Sequence, residues 1–465
     1  MLKKLGGVVA LAGLCALSMF LVNCGSSSSR PSGLLYVLTQ GTNGVGNNVS
    51  SFSIDLGSGN LSFINSNAST CTSTTISCGP PLDIVLDPTG ATAFVLNQGV
   101  PCVQGVSCVS PCGGANPPCV SIPPTIYPYT INSDGSFSSP GTPIPLSHPL
   151  NAQDTQDDAS LPVVMTRDAA GKFLFVLNLG SSPEPATCPL EPVPQGNFNS
   201  CPFILVYTMT PGSATLTPAS GSPFYLSRTP TALSVVTYTP QGASSPQELL
   251  FVTSNHDPIL RNDNTLSVYS VSSSGTIAEL PGSPYTTSTD PLVVQAVNTS
   301  SPTGAGGVFV YVGSEPGASG ALNIFQVCTL IGVNGCSASD VQNSRLVPVN
   351  TKAPPSPGQF PIAMLVDSTN TFLYVACEGS NQVFGYKIGA DGTLSTLTPT
   401  TSQPTGTRPV AMAIHNSVNS SGAFLYTSNN GSANISGFSL STTTGTIGNP
   451  ITVNSPSTPT GMAAR

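Results

Sequence analysis

The chain has 465 residues, of which only 7% are charged, with 12 Lys and Arg against 20 Asp and Glu. Ordinary soluble domains carry about 25% charged residues. The net charge of −8, without any run of basic residues, argues against nucleic acid as a partner. Gly and Pro number 46 and 45 while 39% of the chain is apolar, which indicates a turn-rich β protein and excludes a disordered one.

The N-terminal segment has the pattern of a secretory signal. Two lysines, at positions 3 and 4, precede an apolar run over residues 5–22. We predict that residues 1–23 are a signal peptide and not a transmembrane span. The serine-rich residues 24–33 then form a flexible tether.

Cys24 closes the apolar run in the sequence LVNCG, which resembles the bacterial lipobox. We predict that Cys24 is lipidated and that the mature chain is held in a membrane by its acyl chains. The resemblance implies an exported protein of the bacterial cell envelope, and the Gly after the Cys favours the outer membrane. The alternative is an ordinary cysteine at the end of a cleaved signal.

From Leu34 onward one pattern recurs, and residues 372–397 are its clearest copy. Short apolar runs alternate with turns rich in Gly, Asn and Asp, which is typical of an antiparallel meander. An aromatic residue followed by an aliphatic one or Thr marks seven copies: Tyr36-Val37, Phe94-Val95, Phe175-Val176, Phe251-Val252, Tyr311-Val312, Tyr374-Val375 and Tyr426-Thr427.

A proline opens another apolar run ahead of the last six pairs. These prolines are Pro81, Pro162, Pro230, Pro291, Pro361 and Pro409. Proline is tolerated at the first residue of a strand. The first copy lacks such a run, and residues 459–464 supply one from the end of the chain. We therefore predict an all-β fold over residues 34–465, a seven-bladed β-propeller closed by the C-terminal strand joining the first blade. A tandem of two-sheet sandwiches is the alternative.

Ten of the 13 cysteines form local groups, which in an exported protein predicts disulfides that staple loops. They are Cys71 and Cys78; Cys102, Cys108, Cys112 and Cys119; Cys188 and Cys201; Cys328 and Cys336. The group of four allows three connectivities. A zinc site there is the alternative, but the irregular spacing and the lack of a nearby His favour no metal. Cys377 is expected to be buried and unpaired.

In a propeller the loops after the second strands and the linkers between blades lie on one face, here called the loop-rich face. Scarce charges concentrate in these segments, and five are predicted to bind a ligand: Glu315, Glu378, Arg228, Arg408 and Asp290. A lactone hydrolase needs a general base and a cation for the developing oxyanion. His256, Asp257 and Arg261 are the catalytic candidates, and ordinary surface roles are the alternative for each.

The segments FLYVACEGSNQVFGYKIGADGTLSTL and FLYTSNNGSANISGFSLSTTTGTI resemble the repeats of the lactonase-type seven-bladed propellers. This family includes the propeller-type 6-phosphogluconolactonases, and related repeats carry the YVTN motif. The family's His beside an inner-strand Pro and its Asp-Leu-Gly correspond here to Leu161-Pro162-Val163 and Asn178-Leu179-Gly180. The family's catalytic residues therefore cannot be transferred to this chain.

Two functions are favoured by the sequence, and a structural role in cell-surface assembly is a further alternative. The first is a lipid-anchored propeller that binds a small molecule, a glycan or an envelope protein through its loop-rich face, without a cofactor. The alternative is a divergent lactone hydrolase with its site at the central mouth of the ring.

Overall fold

The computed structural model describes residues 33–41, 48–69, 79–99, 124–146, 162–179, 202–240, 242–255, 264–299, 306–332, 335–349, 353–399, 401–416 and 422–465. Seven antiparallel sheets surround one axis, so the predicted seven-bladed β-propeller is confirmed. The signal peptide, the tether and Cys24 lie outside the described residues, and their assignments stay predictions.

The blades are numbered from the N-terminus, each with its strands in chain order. Blade 1 contains β1 (Leu34–Gln40), β2 (Asn48–Ile54), β3 (Leu61–Ser69) and the last strand β31 (Thr458–Ala464). Blade 2 contains β4 (Pro81–Leu86), β5 (Thr92–Asn97), β6 (Thr125–Thr130) and β7 (Ile144–Pro145). Blade 3 contains β8 (Pro162–Arg167), β9 (Phe173–Asn178), β10 (Phe203–Met209), β11 (Leu216–Pro218) and β12 (Phe224–Tyr225). Blade 4 contains β13 (Pro230–Tyr238), β14 (Gln247–Ser254), β15 (Thr265–Val271), β16 (Ile277–Glu279) and β17 (Tyr285–Thr286).

The remaining three blades follow the same plan. Blade 5 contains β18 (Pro291–Asn298), β19 (Val308–Ser314), β20 (Ala321–Val327) and β21 (Leu346–Pro348). Blade 6 contains β22 (Pro361–Val366), β23 (Phe372–Cys377), β24 (Gln382–Ile388), β25 (Leu394–Thr396) and β26 (Ser402–Pro404). Blade 7 contains β27 (Pro409–His415), β28 (Ala423–Asn429), β29 (Asn434–Leu440) and β30 (Ile451–Asn454).

The ring closes as predicted. The C-terminal strand β31 pairs antiparallel with β1, with Leu35 opposite Ala464 and Val37 opposite Met462. It is therefore the innermost strand of blade 1. In the other six blades the innermost strand is the one that begins with a proline. Strand β31 leaves no free inner edge on the first blade, which removes the strand edge that would otherwise recruit another chain.

The core lies between neighbouring blades and is built by the second strands. Strands such as β5, β9 and β23 are buried along their whole length, because one side faces each adjacent blade. Their aromatic members, the residues that mark the sequence repeat, are among the largest fully buried side chains. Such near-continuous apolar runs are expected for strands covered on both faces.

A buried tyrosine connects each of four blades to the next one. The hydroxyls of these tyrosines donate to glycine carbonyls at 2.9 to 3.0 Å: Tyr36 to Gly135, Tyr311 to Gly392, Tyr374 to Gly445 and Tyr426 to Gly59. Each glycine has a positive φ, and a Cβ there would lie within 2.5 Å of a side chain in the preceding blade. Each of these tyrosines therefore joins its blade to the next one by a buried hydrogen bond as well as by packing.

We expect Tyr374→Phe to lower the free energy of unfolding by about 1–2 kcal/mol, because the Gly445 carbonyl then loses a buried donor. Urea denaturation followed by fluorescence or circular dichroism measures this. An unchanged transition midpoint would show that the hydroxyl contributes nothing to the contact between blades 6 and 7.

One helix and one disulfide elaborate the outer edge of blade 5. Cys328 and Cys336 are joined, which confirms that predicted pair. Helix α1 (Ala338–Gln342) follows, and Ser337 with Asp340 forms a capping box at its start. The other eight predicted disulfide cysteines lie outside the described residues, while Cys377 is a buried free thiol as expected. In the described part of the chain, no helix is long and apolar enough to cross a membrane.

His415 lies at the end of β27, on the face opposite the loop-rich face. The sequence gives it no evident partner, but its Nδ1 lies 2.7 Å from the backbone oxygen of Arg465. Its Nε2 is buried without a partner among the described residues. Burial lowers the pKa of His415, and the contact with the Arg465 carbonyl partly opposes this. The neutral ring is therefore the form that the closed propeller accommodates.

We expect His415 to make the stability of the closed ring depend on pH. Its folded pKa is below the unfolded value of about 6.5, so the unfolded state binds the extra proton and stability falls as the pH drops through this value. We expect the wild-type protein to lose more stability between pH 8 and pH 5 than His415→Asn, which keeps a donor for the Arg465 carbonyl but cannot titrate. Parallel pH dependences for the two proteins would contradict this role.

Candidate functional site

The inner strands enclose a channel along the propeller axis. Its volume is about 740 Å³, and residues from the innermost strands of all the blades line it. Each inner strand begins at the loop-rich face. At the start of β18, for example, the backbone N–H of Glu315 donates to the carbonyl of Asp290 in the linker before that strand. The channel mouth on that face is the place where the sequence puts a lactonase site.

A bulge shapes the wall at the mouth. In six blades the pairing register shifts directly after the inner-strand proline, for example between Pro81 and Asp83. A bulge places one extra residue in the strand and breaks its strict alternation of sides. Leu82 and Asp83, the two residues that follow Pro81, both belong to the channel wall.

The first residue after each inner proline contributes to a ring around the mouth, here called the mouth ring. Its members are Leu82, Val163, Thr231, Leu292, Ile362, Val410 and Thr460, and all are half-buried. The two threonines donate their hydroxyls to backbone carbonyls of the next blade, Thr231 to Pro291 at 2.7 Å and Thr460 to Pro81 at 2.8 Å. The surface that the mouth ring offers to a ligand is therefore mainly aliphatic.

Asp83 stands one residue beyond the mouth ring on β4. Its Oδ1 accepts a hydrogen bond from the Ile84 N–H, and its Oδ2 accepts one from the Met165 N–H of blade 3, both at 2.8 Å. Burial raises the pKa of Asp83 to about 6, although both amide bonds act in the opposite direction. Among the described residues that line the channel, Asp83 is the only carboxylic acid.

The other ionisable residue in the described channel wall is Arg167, near the end of β8 away from the mouth. Its guanidinium donates to the backbone oxygens of Leu86, Asp168 and Ala169 at 2.6, 2.9 and 3.3 Å. Asn298 and Asn370 also lie at this end and bond to backbone carbonyls. The channel thus has an aliphatic mouth and a polar far end.

Three consecutive blades carry a strained residue on the rim of the mouth. Asp290, Phe360 and Arg408 directly precede the inner prolines of blades 5, 6 and 7, with φ of 51°, 51° and 55°. Such values are uncommon for residues other than Gly and persist only where neighbours hold them. Side-chain oxygens of Asn264, Glu315 and Asn381 accept from their three N–H groups at 2.9, 2.5 and 2.7 Å.

Four of the five predicted binding residues belong to this rim. The backbone N–H of Glu378 donates to Phe360, and the Glu378 carboxylate accepts from the Arg408 Nε at 2.9 Å. Phe360 thus links two pairs of rim residues by hydrogen bonds. Its N–H donates to Glu315, which is bonded to Asp290, and its carbonyl accepts from Glu378, which is bonded to Arg408. Glu315 is only 6% exposed, whereas the side chain of Arg408 is 59% exposed.

The remaining sequence candidates lie elsewhere. Arg228, the fifth binding candidate, is 3.7 Å from Glu279 of blade 4, and no described contact joins it to the rim. His256, Asp257 and Arg261 fall outside the described residues, so their catalytic assignment stays a prediction. Asn178, which stands where the resembled family has Asp, is fully buried and donates to the Val176 carbonyl at 3.1 Å.

Comparison with known proteins shows similarity to other seven-bladed propellers. Residues 338–459 match the family model described as "Lactonase, 7-bladed beta-propeller". The fold is a seven-bladed β-propeller, and the matched residues comprise helix α1, β21 of blade 5 and the strands of blades 6 and 7. No curated protein sequence matches the chain.

Solved structures share the propeller at low identity. A periplasmic gluconolactonase of Pseudomonas aeruginosa has a TM-score of 0.55 and 15% identity over 93% of this chain and 98% of its own. A candidate 6-phosphogluconolactonase of Bacteroides uniformis has a TM-score of 0.53 and 12% identity over 93% and 99%. A functionally unknown protein of Desulfotomaculum acetoxidans has a TM-score of 0.53 and 13% identity over 93% and 98%. At these identities the likeness concerns the fold alone.

Asp83 is the site residue that the sequence analysis missed. Its position two residues after an inner proline is visible in the sequence, and a carboxylate in an otherwise apolar inner strand is unusual. The burial that raises its pKa depends on the neighbouring blade, because Met165 comes from a strand 82 residues further on.

Proposed function

We propose that this lactonase-type propeller hydrolyses a lactone at the mouth of its central channel, with Asp83 as the general base. The observation that carries this proposal is the position of Asp83, the only carboxylic acid among the described residues that line the channel, next to an aliphatic mouth; burial raises its pKa to about 6. The matched family model is described as a lactonase, and this description supports the choice of a lactone as the substrate class.

The proposed chemistry requires Asp83 to accept a proton from water as the water attacks the lactone carbonyl. A carboxylate with a pKa of about 6 is largely ionised at pH 7 and is a stronger base than an exposed one. Each oxygen uses one acceptor position for a backbone amide, which leaves other lone pairs for water. As the acyl C–O bond of the ring breaks, the protonated Asp83 carboxyl returns its proton to the leaving alkoxide, and the product is the hydroxy acid.

A second function, ligand binding without catalysis, is favoured by the same two amide bonds. They tie Asp83 to Ile84 and to Met165 of the next blade, as expected for a residue that staples inner strands. Among the described residues no arginine or lysine forms an ion pair with Asp83. In this alternative the channel and the rim hold a ligand and release it unchanged.

A lactone panel distinguishes the two functions. The mature chain with Cys24→Ser is assayed by pH-stat titration at pH 7.5 against unsubstituted, alkyl-substituted, sugar and phosphorylated sugar lactones. The proposal predicts turnover of at least one of them, sensitive to change at Asp83. Turnover that His256→Ala or Arg261→Ala abolishes, and that Asp83→Asn leaves intact, would move the site to the predicted loop. Binding without turnover would establish the second function.

We also propose that the propeller is tethered to the bacterial envelope through lipidated Cys24. Two or three acyl chains suffice for stable membrane retention. In cells that express the full chain, we expect the protein to partition into the detergent phase, and Cys24→Ser to move it to the aqueous phase. Equal partitioning of the two proteins would contradict the lipid anchor.

A further inference from the structure

The mouth ring and the rim together specify what kind of lactone would fit. We propose that the substrate is an uncharged lactone with an aliphatic substituent, and that this substituent packs against the mouth ring. This inference rests on the proposed function, because it concerns the ligand of the same channel.

The wall chemistry is the first argument. Five of the seven mouth-ring residues are Leu, Ile or Val, and both threonine hydroxyls are engaged by carbonyls of the next blade. A polyhydroxylated ligand would lose its water there and find few partners in return. An alkyl group gains instead from each methylene that leaves water.

The position of Asp83 is the second argument. The carboxylate belongs to the layer next to the mouth ring, whose other six members are Val164, Ala232, Val293, Ala363, Ala411 and Gly461. Four of these six residues are Ala or Gly, which leaves width beside the carboxyl group. A lactone carbonyl near Asp83 would therefore have its ring substituent against the mouth ring.

The distribution of charge is the third argument. On the rim, Asp290, Glu315 and Glu378 stand beside one cation, Arg408, which already pairs with Glu378. In the described wall of the channel, Arg167 is the cation, and three backbone oxygens hold its guanidinium. Arg167 lies at the far end of the channel, so the described residues around the mouth offer a phosphate or carboxylate no cation outside an ion pair, and an anionic lactone at the mouth is disfavoured.

Binding is measured separately from turnover, with lactams that carry substituents of increasing length. Isothermal titration calorimetry on the Cys24→Ser mature chain uses 5-methyl-, 5-butyl- and 5-octyl-2-pyrrolidinone, which resist hydrolysis. Burial of each methylene is expected to tighten binding by about fourfold until the chain outgrows the ring. Ile362→Asn should reduce this gain at least about tenfold for the octyl compound. Ile331→Asn, the same change at an exposed site, should leave it unchanged.

The outcomes separate this inference from the proposed function. Tighter binding with chain length, lost in Ile362→Asn, supports the aliphatic subsite at the mouth ring, and turnover of the matching alkyl lactone identifies its occupant as the substrate. Affinity independent of chain length, a preference for a phosphorylated lactone, or no binding at all would overturn it. Turnover without dependence on chain length would leave the hydrolase proposal standing and remove this one.

Discussion

Asp83→Asn is expected to lower kcat/KM for the best lactone substrate by about 10²- to 10⁴-fold, the usual contribution of a general base. The amide cannot accept the proton, although its size matches the carboxyl group. Wild-type kcat/KM should also fall about tenfold per pH unit below pH 6, because the pKa of Asp83 is raised to about 6 and only the ionised form is active.

Stability has to be separated from catalysis in this variant, since Asp83 also accepts from two backbone amides. Asn offers only one acceptor oxygen, so a loss of about 1–3 kcal/mol in unfolding free energy is expected. Activity is therefore compared below the unfolding transition, with Asp55→Asn at an exposed turn as the matched control. If Asp83→Asn is folded and fully active, Asp83 is a staple between strands and not the base.

Deleting residues 458–465 is expected to abolish the cooperative unfolding transition. The deletion exposes the inner edge of β1 and removes Met462 from the core between blades 7 and 1. It also removes Arg465. The backbone of this residue exchanges two hydrogen bonds with that of Leu34, and its guanidinium donates to the Gly90 carbonyl at 3.1 Å. Losing these contacts together exceeds what a domain with a typical stability of about 5–15 kcal/mol tolerates.

A circular permutant is the control for the deletion. Residues 458–465 are moved in front of residue 33 through a short Gly-rich turn, which the pairing of Arg465 with Leu34 permits. We expect cooperative thermal unfolding to return, because the same strand then reaches the same edge. A deletion variant that unfolds like the wild type would mean that ring closure contributes little.

Most of the fold could be predicted because one unit is repeated. The prolines at the starts of the inner strands and the buried aromatic residues of the second strands recur in step, and each has a local physical reason. The missing inner strand of blade 1 and the surplus strand at the end of the chain then determine how the ring closes. Four short elements were not predicted, because so few residues give no clear pattern. They are the strands β12, β17 and β26, of two or three residues each, and helix α1, of five.

The site was less accessible to sequence reasoning. Glu315, Glu378, Arg408 and Asp290 were singled out as scarce charges on the correct face, and the structure links them through Phe360. The positive φ of Phe360 and the bulge between Pro81 and Asp83 depend on pairing between strands. One sequence read by itself does not give the register of strand pairing, so neither feature could be anticipated.

The most direct test of the account is a crystal structure of the mature chain soaked with 5-butyl-2-pyrrolidinone. The account predicts the lactam ring in the central channel, with its carbonyl carbon within about 4 Å of a water held by Asp83 and its butyl group against Ile362 and Leu292. A lactam bound on the outer surface of the propeller, or in the channel but away from Asp83, would contradict a lactonase site at this mouth.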